Sequence, residues 1–252
     1  MLSSKLNMKL LIIGVGHLSK ILLEEIQNDG TSLISSVSGT YRTKSKLEDL
    51  GLDDLIAFDH AINSTNEKSY DFVLFTLPPI DHYLEILEAA SNAFSKTIPW
   101  IFISSTGVYG NGRNAKVLVS IERFLQKLDR KVVIIRPGGL IDENRNPIFS
   151  LAKRDEVLAF NQTVNVVHTR DVARFIKYVI EKNIREGNFD LVSDDRMTKK
   201  EFYLPFFDLY NLKYPQFIDT QVESRRVSNS KSKEIGFEYI APAIFDYISK
   251  ED

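Results

Sequence analysis

Short apolar runs rich in branched residues recur along the chain with helix-spaced segments between them, and this alternation limits the fold more than any other feature. The runs span 9–13, 33–37, 55–58, 71–77, 99–103 and 131–135, and the intervening spacing predicts helices over 18–28, 44–50, 81–94 and 117–128. Strands that read as nearly unbroken Val, Ile, Leu and Phe are buried on both faces, as in a parallel sheet covered by helices. Right-handed crossovers wind such a chain into a doubly wound α/β sheet of the Rossmann type.

After Pro137 the segment GGLIDENRNPIF is dense in Gly, Asn and Pro, and it reads as a long loop leaving the sheet. A helix over 170–182 and a strand over 189–192 follow. Thr198 and Glu201 have capping-box spacing, so a helix is expected to start there. The tail, 211–252, shows no clean period. With 252 residues the chain can bury one sizeable core, so we expect a single unit, its C-terminal part a lobe packed on the sheet.

Other classes are disfavoured early. Lys and Arg total 32 against 34 Asp and Glu, which gives no electrostatic case for a nucleic-acid partner. The absence of cysteine removes disulfides and thiolate chemistry and suits a reducing compartment. The opening MLSSKLNMKLLIIGVG has an apolar run of only four residues, too short for a secretory signal, and either Met1 or Met8 suits as the start. No apolar stretch approaches the ~18 residues of a membrane span, so no membrane partner and a cytoplasmic location are expected.

The segment IIGVGHLSK places Gly14 and Gly16 between the first strand and the first helix. Gly14 permits a tight turn, and Gly16 lets backbone approach a pyrophosphate at the helix N-terminus, with His17 and Leu18 in its first turn. Ser19 stands at the third glycine position, where a small residue serves helix–strand packing. NAD-binding chains carry an acidic residue at the end of the second strand. Here that stretch reads SVSGTYRTKSK, with no carboxylate. Arg42, near Lys44 and Lys46, matches a 2′-phosphate instead, so NADP(H) is expected in preference to NAD(H). About 1–140 are then mainly dinucleotide-binding, and about 141–252 form mainly a small C-terminal substrate lobe with returns to the sheet.

The segment FISSTGVYG resembles the SSxxVYG signature of extended short-chain dehydrogenases/reductases, the epimerase/dehydratase group. Three further segments resemble that family in order: LPP at 77–79, IRPGGLID, and NVVHTRDVAR with its His-x-x-Asp-x-Ala. RRVSNSKSKEIGF resembles the tail of atypical members. The resemblance implies that Gly14 and Gly16 hold the pyrophosphate and Arg42 the adenosine phosphate. It places Leu77 and Pro78 beside the nicotinamide, and it puts Ser105, backed by Thr106, where a hydroxyl bonds the substrate carbonyl or alcohol.

The family's Tyr-x-x-x-Lys, in which the lysine lowers the phenol's pKa for proton transfer, is missing from its place. If Glu122 stands where the family has a glutamate four residues after that lysine, Leu118 replaces the lysine and Asn114 the tyrosine. Tyr178 and Lys182 share the spacing but lie in a later helix. Tyr109 and Arg113 have the same spacing, so Tyr109 is one candidate acid/base, although the resemblance implies packing or positioning for the VYG tyrosine; a Tyr, Lys or His from elsewhere in the chain is the alternative. Arg136 and Arg145 flank the expected substrate loop and could clamp an anion. His168, alone at a strand end, is a candidate substrate contact, and Asp171 reads as support for a helix start; no metal-ligand spacing is present. The functional reading is an NADP(H)-dependent oxidoreductase or epimerase-like enzyme, monomeric or homodimeric, acting on a small polar carbonyl or alcohol such as a nucleotide sugar. The alternative is a catalytically silent NADP(H)-binding sensor or scaffold.

Overall fold

A computed structural model describes residues 7–41, 50–63, 70–80, 82–110, 113–219 and 225–245. In chain order the first part holds β1 (Met8–Ile13), α1 (His17–Gln27), β2 (Ile34–Tyr41), β3 (Asp54–Ala57), α2 (Phe58–Asn63), β4 (Phe72–Phe75), α3 (Tyr83–Ala93), β5 (Trp100–Ile103), α4 (Arg113–Lys127) and β6 (Val132–Pro137). Then come β7 (Gly139–Ile141), α5 (Ile148–Leu151), β8 (Glu156–Leu158), β9 (Val166–His168), α6 (Thr169–Glu181), β10 (Gly187–Leu191), α7 (Lys199–Leu209), β11 (Gln216–Ile218) and α8 (Ser230–Glu234). The described chain forms two compact units, Met1–Arg136 with Val172–Phe189, and Pro137–Asp171 with Asp190–Asp252.

The first unit is built on a sheet of strand order β10-β6-β5-β4-β1-β2-β3. Each registered pair from β6 to β3 is parallel. The chain runs outward from β1 through β2 to β3, returns to place β4 on the other side of β1, and continues outward. Strand order therefore reverses between β1 and β4, the switch point at which doubly wound sheets bind ligands. This is the α/β class that the alternation of apolar runs predicts. One face of the sheet is closed by a core that includes Leu11, Val73, Phe75, Phe102, Leu118, Ile121 and Leu125.

Three local expectations need correction. β2 runs on to Tyr41, beyond the apolar run, because Ser38 and Thr40 are buried and pair within the sheet. Gly39 lies within this strand and is fixed by crowding, since a Cβ there would lie 2.7 Å from Val15 Cγ2 and 2.9 Å from Leu52 Cδ1. Phe58 opens α2 and packs in the core instead of ending a strand. The α4 helix begins at Arg113, four residues before its apolar spacing becomes regular, and the helix expected over 44–50 lies almost wholly outside the described residues.

In the second unit GGLIDENRNPIF is more than a loop. β7 lies parallel to β9, and Gly138 is required because a Cβ would sit 2.6 Å from the Asn165 carbonyl oxygen. Glycine density here marks close backbone approach, which a turn-based reading misses. The capping box is formed: Thr198 Oγ1 accepts from the Glu201 amide at 3.2 Å, and Glu201 Oε2 accepts from the Thr198 amide at 2.7 Å. Ile141, Ile148, Phe160, Phe202 and Phe207 form this unit's core. The tail contributes β11, paired with β8, and α8. Among the described residues no helix is long and apolar enough to cross a membrane.

Arg130 secures the end of α3. Its guanidinium stacks over Trp100, 4.1 Å from the ring centroid. It donates to the carbonyls of Phe94 at 2.8 Å, Ser95 at 2.9 Å, Ile98 at 3.1 Å and Ser91 at 3.4 Å. Burial lowers its pKa to about 10, which leaves it charged at neutral pH. Arg130→Met strips these carbonyls of their donor, and urea denaturation should show a loss of about 2 kcal/mol.

Candidate functional site

Parallel strands end on one edge of a sheet, so Gly14 after β1, Thr76 after β4 and Ser104 after β5 are brought to the same edge. Gly14 has φ +94°, and a Cβ there would sit 2.6 Å from Leu77 Cδ2 and 3.2 Å from the Leu77 amide nitrogen. Both the backbone conformation and the close approach require glycine. Three hydroxyls hold the turn. Thr40 Oγ1 accepts from the Gly14 amide at 3.0 Å, and Thr76 Oγ1 donates to the Gly14 carbonyl. Ser19 Oγ, fully buried, lies 3.2 Å from Thr76 Oγ1 and 3.4 Å from the Gly14 carbonyl oxygen. The serine at the third glycine position thus packs and bonds.

Gly16 is the N-cap of α1, with φ −133° and ψ −160°, no side-chain cap and no acidic residue in the first turn. A Cβ at Gly16 would meet nothing within 4 Å. The first-turn amides of an α-helix have no intrahelical partner, and here glycine leaves room over them while no carboxylate competes. This cradle fits the pyrophosphate of a nicotinamide dinucleotide. His17 is half-buried and Leu18 buried, so what Leu18 can offer a ligand is its amide. Leu77 is half-buried against Gly14 and Pro78 is exposed beside it. Arg42, Lys44 and Lys46 lie outside the described residues.

The SSTGVYG segment divides its work. Ser104 is buried and its hydroxyl donates to Glu122 Oε1 at 2.6 Å. Ser105, half-buried, caps a 3-10 turn over Thr106–Tyr109, its Oγ accepting from the Gly107 amide at 3.0 Å. Thr106 and Tyr109 are half-buried on that turn. Arg136, on β6, meets Glu122 through two bonds, Nε to Oε1 at 2.9 Å and Nη2 to Oε2 at 2.6 Å. Its Nη1 donates to the Tyr109 hydroxyl at 3.0 Å. Arg136 is therefore not the anion clamp that its position in the sequence suggests, because Glu122 already binds two of its donor nitrogens and Tyr109 the third.

Leu118, where the resemblance would put the lysine, is 5% exposed in the core, and Asn114 is exposed on the helix surface. Lys182 lies 5.7 Å over the Tyr178 ring on α6, one helix face in contact with itself. In the second unit Arg145 is exposed on a tight turn, its amide donating to the Asp142 carbonyl at 3.0 Å. His168 lies at the same end of the β7–β9 pair but is 2% exposed, with Nδ1 accepting from the Arg170 amide at 3.3 Å and Nε2 3.9 Å from Glu143 Oε1. Asp171 accepts from the amides of Ile240 at 2.8 Å and Ala241 at 3.1 Å, which fastens the tail. Among the described residues no group of three His, Asp or Glu is arranged to hold a metal.

Thr40 and Thr76 were not singled out as site residues by the sequence, and Arg136 and Glu122 were named there without being paired. One signal was present: Glu122 sits on the apolar stripe of α4 with Leu118, Ile121 and Leu125, and a carboxylate on such a stripe implies a buried partner.

Fold and glycine turn together define a Rossmann-type architecture. No protein-family model and no curated protein matches the chain. Among solved structures it is similar to a functionally unknown conserved protein from Silicibacter pomeroyi DSS, with 15% identity, TM-score 0.74, and coverage of 97% of this chain and 99% of that one. It is also similar to a putative NAD-dependent epimerase/dehydratase from Methylobacillus flagellatus, at 18% identity, TM-score 0.70 and 95% of both chains. The human epimerase family protein SDR39U1 (isoform 2), solved with NADPH, matches at 14% identity, TM-score 0.72, over 94% of this chain and 97% of that one. At these identities the likeness is one of fold.

Two stability measurements check the site. Gly14→Ala forces an L-residue into a positive φ and displaces Leu77, and chemical denaturation should register a loss of about 2 kcal/mol. Glu122→Ala leaves Arg136 charged without its carboxylate and should cost about 3 kcal/mol by the same measurement.

Proposed function

We propose that the chain binds a nicotinamide dinucleotide at the Gly14–Gly16 turn, NADP(H) in preference to NAD(H), and acts as an oxidoreductase or epimerase-like enzyme on a small polar carbonyl or alcohol. The open cradle over Gly16 at the β1–β4 switch point carries the reading. The cofactor preference is supported by the sequence at the end of β2, which offers Arg42 and no carboxylate. When bound, the dinucleotide supplies or accepts a hydride. The chain's own residues do the rest: the Gly16 cradle holds phosphate oxygens, Leu77 and Pro78 border the ring that exchanges hydride, and the Ser105 hydroxyl bonds the substrate oxygen.

The test is protein-observed binding of NADPH and NADH. Gly16→Ala adds a methyl that meets no atom of the fold but is a poorer N-cap, so it should stay folded with a loss of about 1 kcal/mol while losing about tenfold or more of its NADPH affinity. A folded Gly16→Ala with parental affinity overturns the site. Arg42→Ala should weaken NADPH and leave NADH unchanged; equal effects on both remove the NADP preference. NADPH oxidation is then assayed with aldehydes, ketones and nucleotide sugars, where Ser105→Ala should slow turnover but retain dinucleotide binding. Binding without any turnover selects the silent sensor reading.

A further inference from the structure

We propose that Tyr109 is the proton donor and acceptor of this site, with Arg136 as the fixed cation beside its hydroxyl and Glu122 as the residue that positions Arg136. The assignment rests on the dinucleotide reading above. It supplies the acid that is missing from α4, where Leu118 is sealed in the core.

The geometry has three parts. First, Arg136 Nη1 donates to the phenolic oxygen at 3.0 Å, and the guanidinium carbon lies 5.5 Å from the ring centroid. Arginine only donates, so this bond occupies an oxygen lone pair and not the phenolic hydrogen. A hydrogen bond donated by a cation stabilises phenolate over phenol, which is the electrostatic task that a lysine performs beside a catalytic tyrosine. Second, the cation is anchored on its other edge. Its Nε and Nη2 are held by both oxygens of Glu122, with side chains only 14% and 8% exposed. Glu122 binds the edge made by Nε and Nη2 and partly offsets the positive charge, while Nη1 is directed at the phenol. Third, Tyr109 shares a four-residue turn with the Ser105 cap, and that turn is closed by the Gly110 amide on the Gly107 carbonyl at 2.9 Å. Hydroxyl and phenol are thus carried by one short segment at the carboxyl end of β5.

In the reductive direction the dinucleotide is the reductant. The carbonyl carbon gains a hydride with its electron pair, the carbon–oxygen π pair moves to oxygen, and that oxygen takes the phenolic proton. The carbonyl becomes an alcohol, the dinucleotide is oxidised, and Tyr109 is left as phenolate until water returns a proton. Arg136 keeps its protons throughout, since it does not deprotonate under these conditions. The charged groups facing Tyr109 include Arg136 from β6 and, through the same guanidinium, Glu122 from α4.

The test reads Tyr109 directly, by carbon NMR of chain labelled at the tyrosine ζ position. Tyr109→Phe identifies its signal among the ten tyrosines. Tyr109 should ionise below the ordinary tyrosine value of about 10. Arg136→Gln should raise that midpoint, and Glu122→Gln, which keeps the side chain's size and one acceptor oxygen but removes its negative charge, should lower it further. The opposite signs separate an electrostatic role from a packing role, and Glu122→Gln serves alone if Arg136→Gln does not fold. Tyr109→Phe should retain NADPH affinity and lose about a hundredfold or more in carbonyl reduction. A Tyr109 midpoint at or above the ordinary value, or one indifferent to Glu122→Gln, overturns the assignment while parental NADPH binding leaves the dinucleotide reading standing. Failure of the parent to bind NADPH overturns that reading, and the assignment with it, whatever Tyr109 does.

Discussion

The turn at Gly14 is the constraint on which the first unit depends. A residue at φ +94° with another side chain packed against its α-carbon persists only where the surroundings over-determine it. Here they do: Thr40 at the end of β2, Thr76 just after β4 and Ser19 in α1 each bring a hydroxyl to the backbone of that one residue or to each other. The central strand, both its neighbours in the sheet and the helix that follows are tied at a single point. The tie lies at the place where strand order reverses, so the amides of α1 and the carboxyl ends of β1 and β4 share a fixed edge.

A second tie sets the chemistry available on the β5 side. Glu122 would be costly to bury alone, and Arg136 likewise; together they satisfy each other and leave donor capacity for Tyr109. Ser104 completes the carboxylate, and Ser105 is the serine that caps the turn. Polarity withheld from α4 at Leu118 reappears in this network one turn further on. The two ties are independent in their residues, and the sheet aligns them.

Much of the fold was legible because burial writes itself into composition. Strands covered on both faces must be apolar, and the six runs that satisfy this all form strands, with ends displaced by a few residues. Where the reading failed, polar or small residues were doing something other than turning the chain: Ser38 and Thr40 are buried in β2, and Gly138 is set by backbone that approaches from a distant segment. The capping box at Thr198 was readable because both partners are three residues apart.

The candidate site divides in the same way. The sequence by itself determined the glycine turn, the Ser105 signature and the loss of the expected tyrosine and lysine, because each is a matter of residue type at short spacing. Only the tertiary structure decided that Thr40 and Thr76 hold Gly14, that Gly16 opens onto free space, and that Arg136 is engaged by Glu122 and Tyr109. Those relations join residues from 14 to 62 positions apart in the chain, or concern the emptiness of a volume. A linear sequence carries no local signal for either, because distance in space is fixed only when the strands have taken their order.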